Sequence, residues 1–139
     1  MDLTGVAESW RKLAATAEEL NRLSDKLSKS IRIIEESIAA TGVGIEGWII
    51  IKTLPHQELH LGYARRKHGW GLCIMQRDFP SDEVIVWSFN DAPRHHRIAA
   101  VDHVEKLINQ LTIDARVMTQ FLETRLSVLA VNSPEGQKR

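Results

Sequence analysis

Two runs of cations and histidines are the residues of this sequence whose types and spacing suggest binding chemistry. The first run precedes a glycine and Trp70, and the second follows a proline. The candidate residues are Arg65, Arg66, Lys67, His68, Arg94, His95, His96 and Arg97. Guanidinium, ammonium and imidazolium groups bind oxyanions through charge-assisted hydrogen bonds. The chemistry indicated is binding of a phosphate, a nucleic-acid backbone or an acidic peptide.

Catalytic chemistry is not indicated by any residue pattern. The lone cysteine, Cys73, lies between Leu72 and Ile74 in an apolar run, which favours a small buried thiol over a nucleophile. The paired carboxylates Glu18-Glu19 and Glu35-Glu36 fall in a helical pattern and are interpreted as its solvated side. The histidines lack the spacing of a metal motif. We therefore expect no catalytic residues, no metal and no cofactor.

The composition is that of an ordinary soluble globular protein. Apolar residues make up 43% and charged residues 26% of 139 residues, and the formal net charge is zero. Neutrality argues against general attraction to nucleic acid or anionic lipid, so any anion binding must come from a local patch. A single cysteine, no secretory leader pattern and no long apolar run favour a cytoplasmic protein without a membrane span.

The N-terminal region predicts one long helix over residues 3–41. Apolar residues recur at alternating spacings of three and four over five heptads, which is typical of a helix packed along another helix. Thr41-Gly42 supplies the stop, because glycine tolerates the left-handed conformation that ends a helix.

Residues 45–89 change to a strand pattern rich in Ile, Val and Trp. Four strands are predicted, separated by short breaks, and an antiparallel meander is the simplest topology. The predicted strands are Ile45–Leu54, Glu58–Arg66, Gly69–Asp78 and Glu83–Phe89.

A second long helix is predicted over residues 94–131, packed with the first, and residues 132–139 are expected to be a flexible tail. The whole chain, 1–139, is then a single α+β domain.

The predicted meander would bring the two basic runs close together. Alternate loops of a meander fall at the same end of the sheet, so the 65–68 turn and the 94–97 segment should form one basic corner beside the start of the second helix. Tyr63 and Trp70 could stack on a ring there. The opposing interpretation is that charged loop ends are simply solvated.

The first helix is too long for the sheet. About 40 residues of helix span about 55 Å, whereas a ten-residue strand spans about 33 Å. The apolar stripe continues into the overhang, where Val6, Trp10 and Leu13 need a partner helix from the same chain or from a second copy. The strands are also apolar on both faces, so helices must divide between the faces or another subunit must cover one of them.

The sequence therefore predicts a non-enzymatic homo-oligomeric interaction module, most simply a dimer, of adaptor, chaperone-like or immunity-like type. It would use helix stripes, with Trp10 as an interface anchor, and a sheet face, and a different protein is a further candidate partner. The alternative is binding of phosphate or nucleic acid at the basic corner. No motif is specific enough to indicate a family.

Overall fold

The computed structural model describes residues 3–132 and has the predicted α+β architecture. A long helix precedes a four-stranded antiparallel sheet, and two further helices follow. The elements are α1 (Thr4–Ala40), β1 (Gly47–Leu54), β2 (Gln57–Arg66), β3 (Gly69–Asp78), β4 (Val84–Ser88), a single 3₁₀ turn (Phe89–Asp91), α2 (Arg94–Val101) and α3 (Val104–Asn132). The predicted stop of the first helix is confirmed, since Gly42 follows α1 with a positive φ of 67°.

The sheet is the predicted meander, in the order β1-β2-β3-β4. Leu61 of β2 pairs with Ile49 on one side and with Ile74 on the other, which sets the register of the three central strands. β1 carries a bulge at Ile51, where its pairing with β2 shifts between Ile50 and Lys52. β4 is the shortest strand and pairs with only half of β3, from Cys73 to Arg77.

One face of this sheet carries the hydrophobic core and all three helices. Ile31 and Ile38 of α1 and Leu107 and Leu111 of α3 belong to the same buried cluster as the inward residues of β1, β2 and β3. α2 reaches the same face through His96, which contacts Gln76. The sheet contributes Ile49, Leu59, Leu61, Tyr63, Leu72 and Ile74 to the cluster.

No helix among residues 3–132 covers the opposite face. That face carries apolar side chains and is partly open to solvent. The indole of Trp48 covers Gly62 on this face so closely that an added Cβ would stand 2.2 Å from the ring. Ile50 and Val84 on this face are about half exposed. The expectation that the strands are apolar on both faces holds, and the helices do not divide between the two faces.

The two long helices cross the sheet in the same direction and leave it at opposite ends. α1 meets Arg94 at Asn21 and passes Gly71 at Glu35, so it runs toward the β2–β3 turn. α3 follows α2 and packs on Gly47 with Leu111, also toward that turn. The N-terminal half of α1 therefore projects past the β1–β2 hairpin, and the C-terminal half of α3 projects past the β2–β3 turn.

The C-terminal helix differs from the prediction in two respects. Asp102 and His103 interrupt it, so that α2 and α3 are separate helices. Ile108 and Ala115 share a groove with Ile38 of α1, and few other residues of the two helices lie close together. The two helices thus do not pack along their full lengths within one chain.

None of the helices within the described range combines the length and the apolarity needed to cross a bilayer.

Candidate functional site

The β2–β3 turn presents the first basic run beside a cavity of about 310 Å³. Arg66, Lys67 and His68 line this cavity. Tyr63 and Trp70 stack at its base, with ring centroids 5.4 Å apart and planes inclined by 20°. Both rings lie on the helix-covered face, so Tyr63 is buried and only part of Trp70 is accessible. The expected aromatic pair is therefore present and mainly serves the core.

Glu35 of α1 also lines this cavity. The helical pattern of the sequence predicts instead that its side chain is solvated. Because β4 ends at Ser88, opposite Cys73, the outer edge of β3 is unpaired from Gly69 to Leu72. The Glu35 carboxylate fills that gap: Oε2 lies 3.1 Å from where a Cβ on Gly71 would stand. Burial raises the pKa of Glu35, while the backbone N–H of Leu72 acts in the opposite direction by hydrogen bonding to the carboxylate.

The second basic run is engaged with α1 and with its own loop. Arg94 Nη2 donates a hydrogen bond of 2.9 Å to Asn21 Oδ1. Arg97 Nε donates to the carbonyl of Ala92 at 3.0 Å, and its Nη1 lies 3.4 Å from Ser28 Oγ. These two guanidinium groups therefore anchor the start of α2 to α1.

The histidines of this run lie on the other side of α2. His95 and His96 line a cavity of about 230 Å³ together with Lys52 and Gln57 of the β1–β2 hairpin. Their rings contact each other at a centroid distance of 4.2 Å. His96 is only 8% exposed.

A hydrogen-bonded chain fixes the orientation of His96. Gln76 Nε2 donates to Asp78 Oδ1 at 3.1 Å, which leaves Gln76 Oε1 to accept a hydrogen bond from His96 Nε2 at 2.9 Å. Burial lowers the pKa of His96, and the neighbouring His95 and Lys52 lower it further. The imidazole is therefore uncharged at pH 7 and acts as the polar anchor of α2 on β3.

The two basic runs do not form the expected corner. Arg66 pairs with Gly69 at one end of β2, whereas His95 and His96 lie at the opposite end, near Gln57. The physical reason is that the chain folds back after β4 through the 3₁₀ turn, so that α2 starts near the β1–β2 hairpin. The eight residues lie in two separate places and share no cavity.

Exposed apolar side chains cover the projecting halves of both long helices. Trp10 is 64% exposed, and Val6 and Leu13 beside it are also exposed. On α3 the matching residue is Phe121, at 63%. The other exposed apolar residues of α3 beyond its contact with the sheet are Ile113, Val117, Met118, Leu122, Leu126, Val128, Leu129 and Val131. The α1 stripe is evident in the sequence, whereas the exposure of α3 is not, because the predicted packing of the two helices would cover it.

The chemical possibilities of the described residues are limited. Cys73 is buried as predicted, and burial raises the pKa of its thiol, which disfavours the reactive thiolate. Within residues 3–132 no three His, Cys, Asp or Glu side chains are grouped closely enough to hold a metal ion.

Comparison with known proteins adds no identity: no family model, no curated protein and no solved structure matches this chain.

Proposed function

We propose that this protein is a non-enzymatic interaction module that assembles with further copies of itself through its projecting helices. The observation that carries the proposal is Trp10, a large apolar side chain left 64% exposed in the middle of a regular apolar stripe. Tryptophan is enriched at binding hot spots, and an exposed apolar patch rimmed by polar residues marks an interaction site.

The amount of exposed apolar surface supports the same function. Each projecting half carries at least five large apolar side chains exposed to solvent. Exposed apolar patches larger than usual mark interaction sites in soluble proteins. A second copy of the chain is the occupant that we propose, because both projecting halves carry as many acidic as basic residues and so do not repel their own kind.

A cytoplasmic location belongs to this proposal. The one cysteine is a buried free thiol, which a reducing compartment preserves.

The test is the mass of the full-length chain, measured by light scattering over a dilution series. We expect at least two chains per particle for the wild type, and a Trp10→Asp variant should dissociate at least about tenfold more easily, as loss of a hot spot would. Ala15→Asp is the matched control: it adds the same charge to α1 on the side away from the stripe and should leave the mass unchanged. A wild-type particle of one chain at all concentrations would refute the proposal.

A further inference from the structure

The apolar surface of α1 and that of α3 differ in shape, and the difference specifies how copies pack. At about 100° of rotation per residue, the exposed large apolar residues of α1 from Leu3 to Leu20 form one stripe about 100° wide. That stripe contains Leu3, Val6, Trp10, Leu13 and Leu20. A single stripe of this width fits a helix that faces the centre of a bundle.

The projecting half of α3 carries two separate apolar faces. The first contains Ile113, Val117, Phe121 and Val128, and the second contains Met118, Leu122, Leu126 and Leu129. Their centres are about 140° apart by helix geometry. Asp114 and Arg125 lie between the two faces, and polar residues including Arg116, Thr119 and Glu123 fill the remaining side. One partner helix cannot cover both faces of α3.

The lengths and charges of the projecting halves are matched. Each comprises about 20 residues, or about 30 Å of helix. No charged residue interrupts the α1 stripe between Leu3 and Leu20. Because α1 projects at the hairpin end and α3 at the turn end, two copies lying side by side in opposite directions bring an α1 of one copy against an α3 of the other at each end.

We infer that each α3 uses one face for the α1 of a second copy and its other face to join two such pairs, so that four chains close into an assembly with a four-helix bundle of two α1 and two α3 halves at either end. This inference rests on the proposed function and specifies its partner and geometry. The closed arrangement has two-fold axes only, as in common symmetric tetramers.

The experiment changes one face of α3 at a time in the full-length protein. The variants are Phe121→Asp on the first face, Leu122→Asp on the second, and the double variant. Thr119→Asp, on the polar side of the same turn, is the matched control. All three sites are exposed in the single chain, so far-ultraviolet circular dichroism should show an unchanged helix content.

The expected masses from light scattering are four times the 15.8 kDa chain for the wild type and for Thr119→Asp, twice the chain mass for either single-face variant, and one chain for the double variant. A wild-type mass of two chains would overturn the four-helix inference and leave the proposed function standing. A wild-type mass of one chain would overturn both. Any other order of masses among the α3 variants would overturn the inference, because it requires both faces to act separately.

Discussion

Glu35 shows how much of this molecule depends on single contacts that pattern does not reveal. Its helix spacing is the same as that of a solvated residue, and its neighbour Glu36 is indeed exposed. Glu35 is half-buried only because β4 is too short to cover the edge of β3 and because Gly71 has no side chain in the way. Open strand edges are prone to pair with other chains, and a charged side chain blocks such pairing. The carboxylate thus protects the stretch of β3, from Gly69 to Leu72, whose outer edge has no paired strand.

The pH dependence of stability should reveal this carboxylate. Since burial raises the pKa of Glu35 in the folded chain above its ordinary value of 4.5, the folded state is penalised once pH exceeds that value. The wild type therefore loses stability as pH rises through the pKa of Glu35 in the folded chain. The Glu35→Gln variant does not, because glutamine does not ionise. We expect this variant to have a higher free energy of unfolding than the wild type at pH 7 and no advantage near pH 4, by urea denaturation.

Glu36→Gln is the control for this experiment, because it removes the same charge one residue away in solvent. An equal gain at pH 7 from both substitutions would show that general charge, and not the buried position, is responsible.

At the scale of elements, the fold was largely predictable because its periodicities are strong. The long apolar stripe of α1 and the stop at Gly42 predict the helix to within a residue, and the short breaks give the meander its order. The strand bounds differ only at their ends: β1 starts at Gly47 and not Ile45 because Gly44, with a φ of 53°, keeps the entry irregular. The division of the last helix at Asp102 could not be predicted, because no glycine or proline marks it in the sequence.

The position of α2 could not be predicted from local pattern. It depends on the 3₁₀ turn at Phe89, whose ring is fully buried, and on the contact of His96 with Gln76, twenty residues earlier. Such contacts between distant residues decide where a segment lies, and they alone separate the two basic runs.

The two halves of α3 should differ sharply in what they contribute to stability. Leu107 is fully buried in the core, so Leu107→Ala should cost about 2–5 kcal/mol of unfolding free energy. Leu129 is largely exposed in the single chain, so the same substitution there should change the unfolding of the dissociated protein by less than about 0.5 kcal/mol. Chemical denaturation at low protein concentration measures both, and equal costs would contradict the division of α3 into a docked half and a projecting half.

At the scale of the whole molecule, the core and the apolar surface are in different places. The buried cluster lies under the second half of α1 and the first half of α3, whereas the exposed apolar residues of the projecting helix halves lie beyond both ends of the sheet. The sequence indicated the exposed apolar surface at Trp10, because helix length and strand length could be compared directly. It did not indicate the exposed apolar surface of α3, because the direction in which that helix leaves the sheet depends on tertiary contacts.

Association driven by this surface should respond to solvent as apolar burial does. Sodium sulfate should strengthen it, because excluded salts favour burial of apolar surface, whereas binding through the exposed cations of the 65–68 turn would weaken as salt is added. Sedimentation equilibrium with and without sulfate measures the change. A dissociation constant that rises steeply with salt would show that charge, and not the helix stripes, holds the copies together.

The bulge at Ile51 leaves the two parts of β1 out of phase. Before it, Gly47 and Ile49 turn toward the helices, and after it Lys52 and Leu54 do so, opposite Leu59 and Gln57. Deletion of Ile51 would restore regular alternation and leave Lys52 and Leu54 on the side of the helices, because Ile51 is the one extra residue of this strand. The strand should therefore tolerate the loss of that residue, whereas deletion of Thr53 would turn Leu54 to the opposite face.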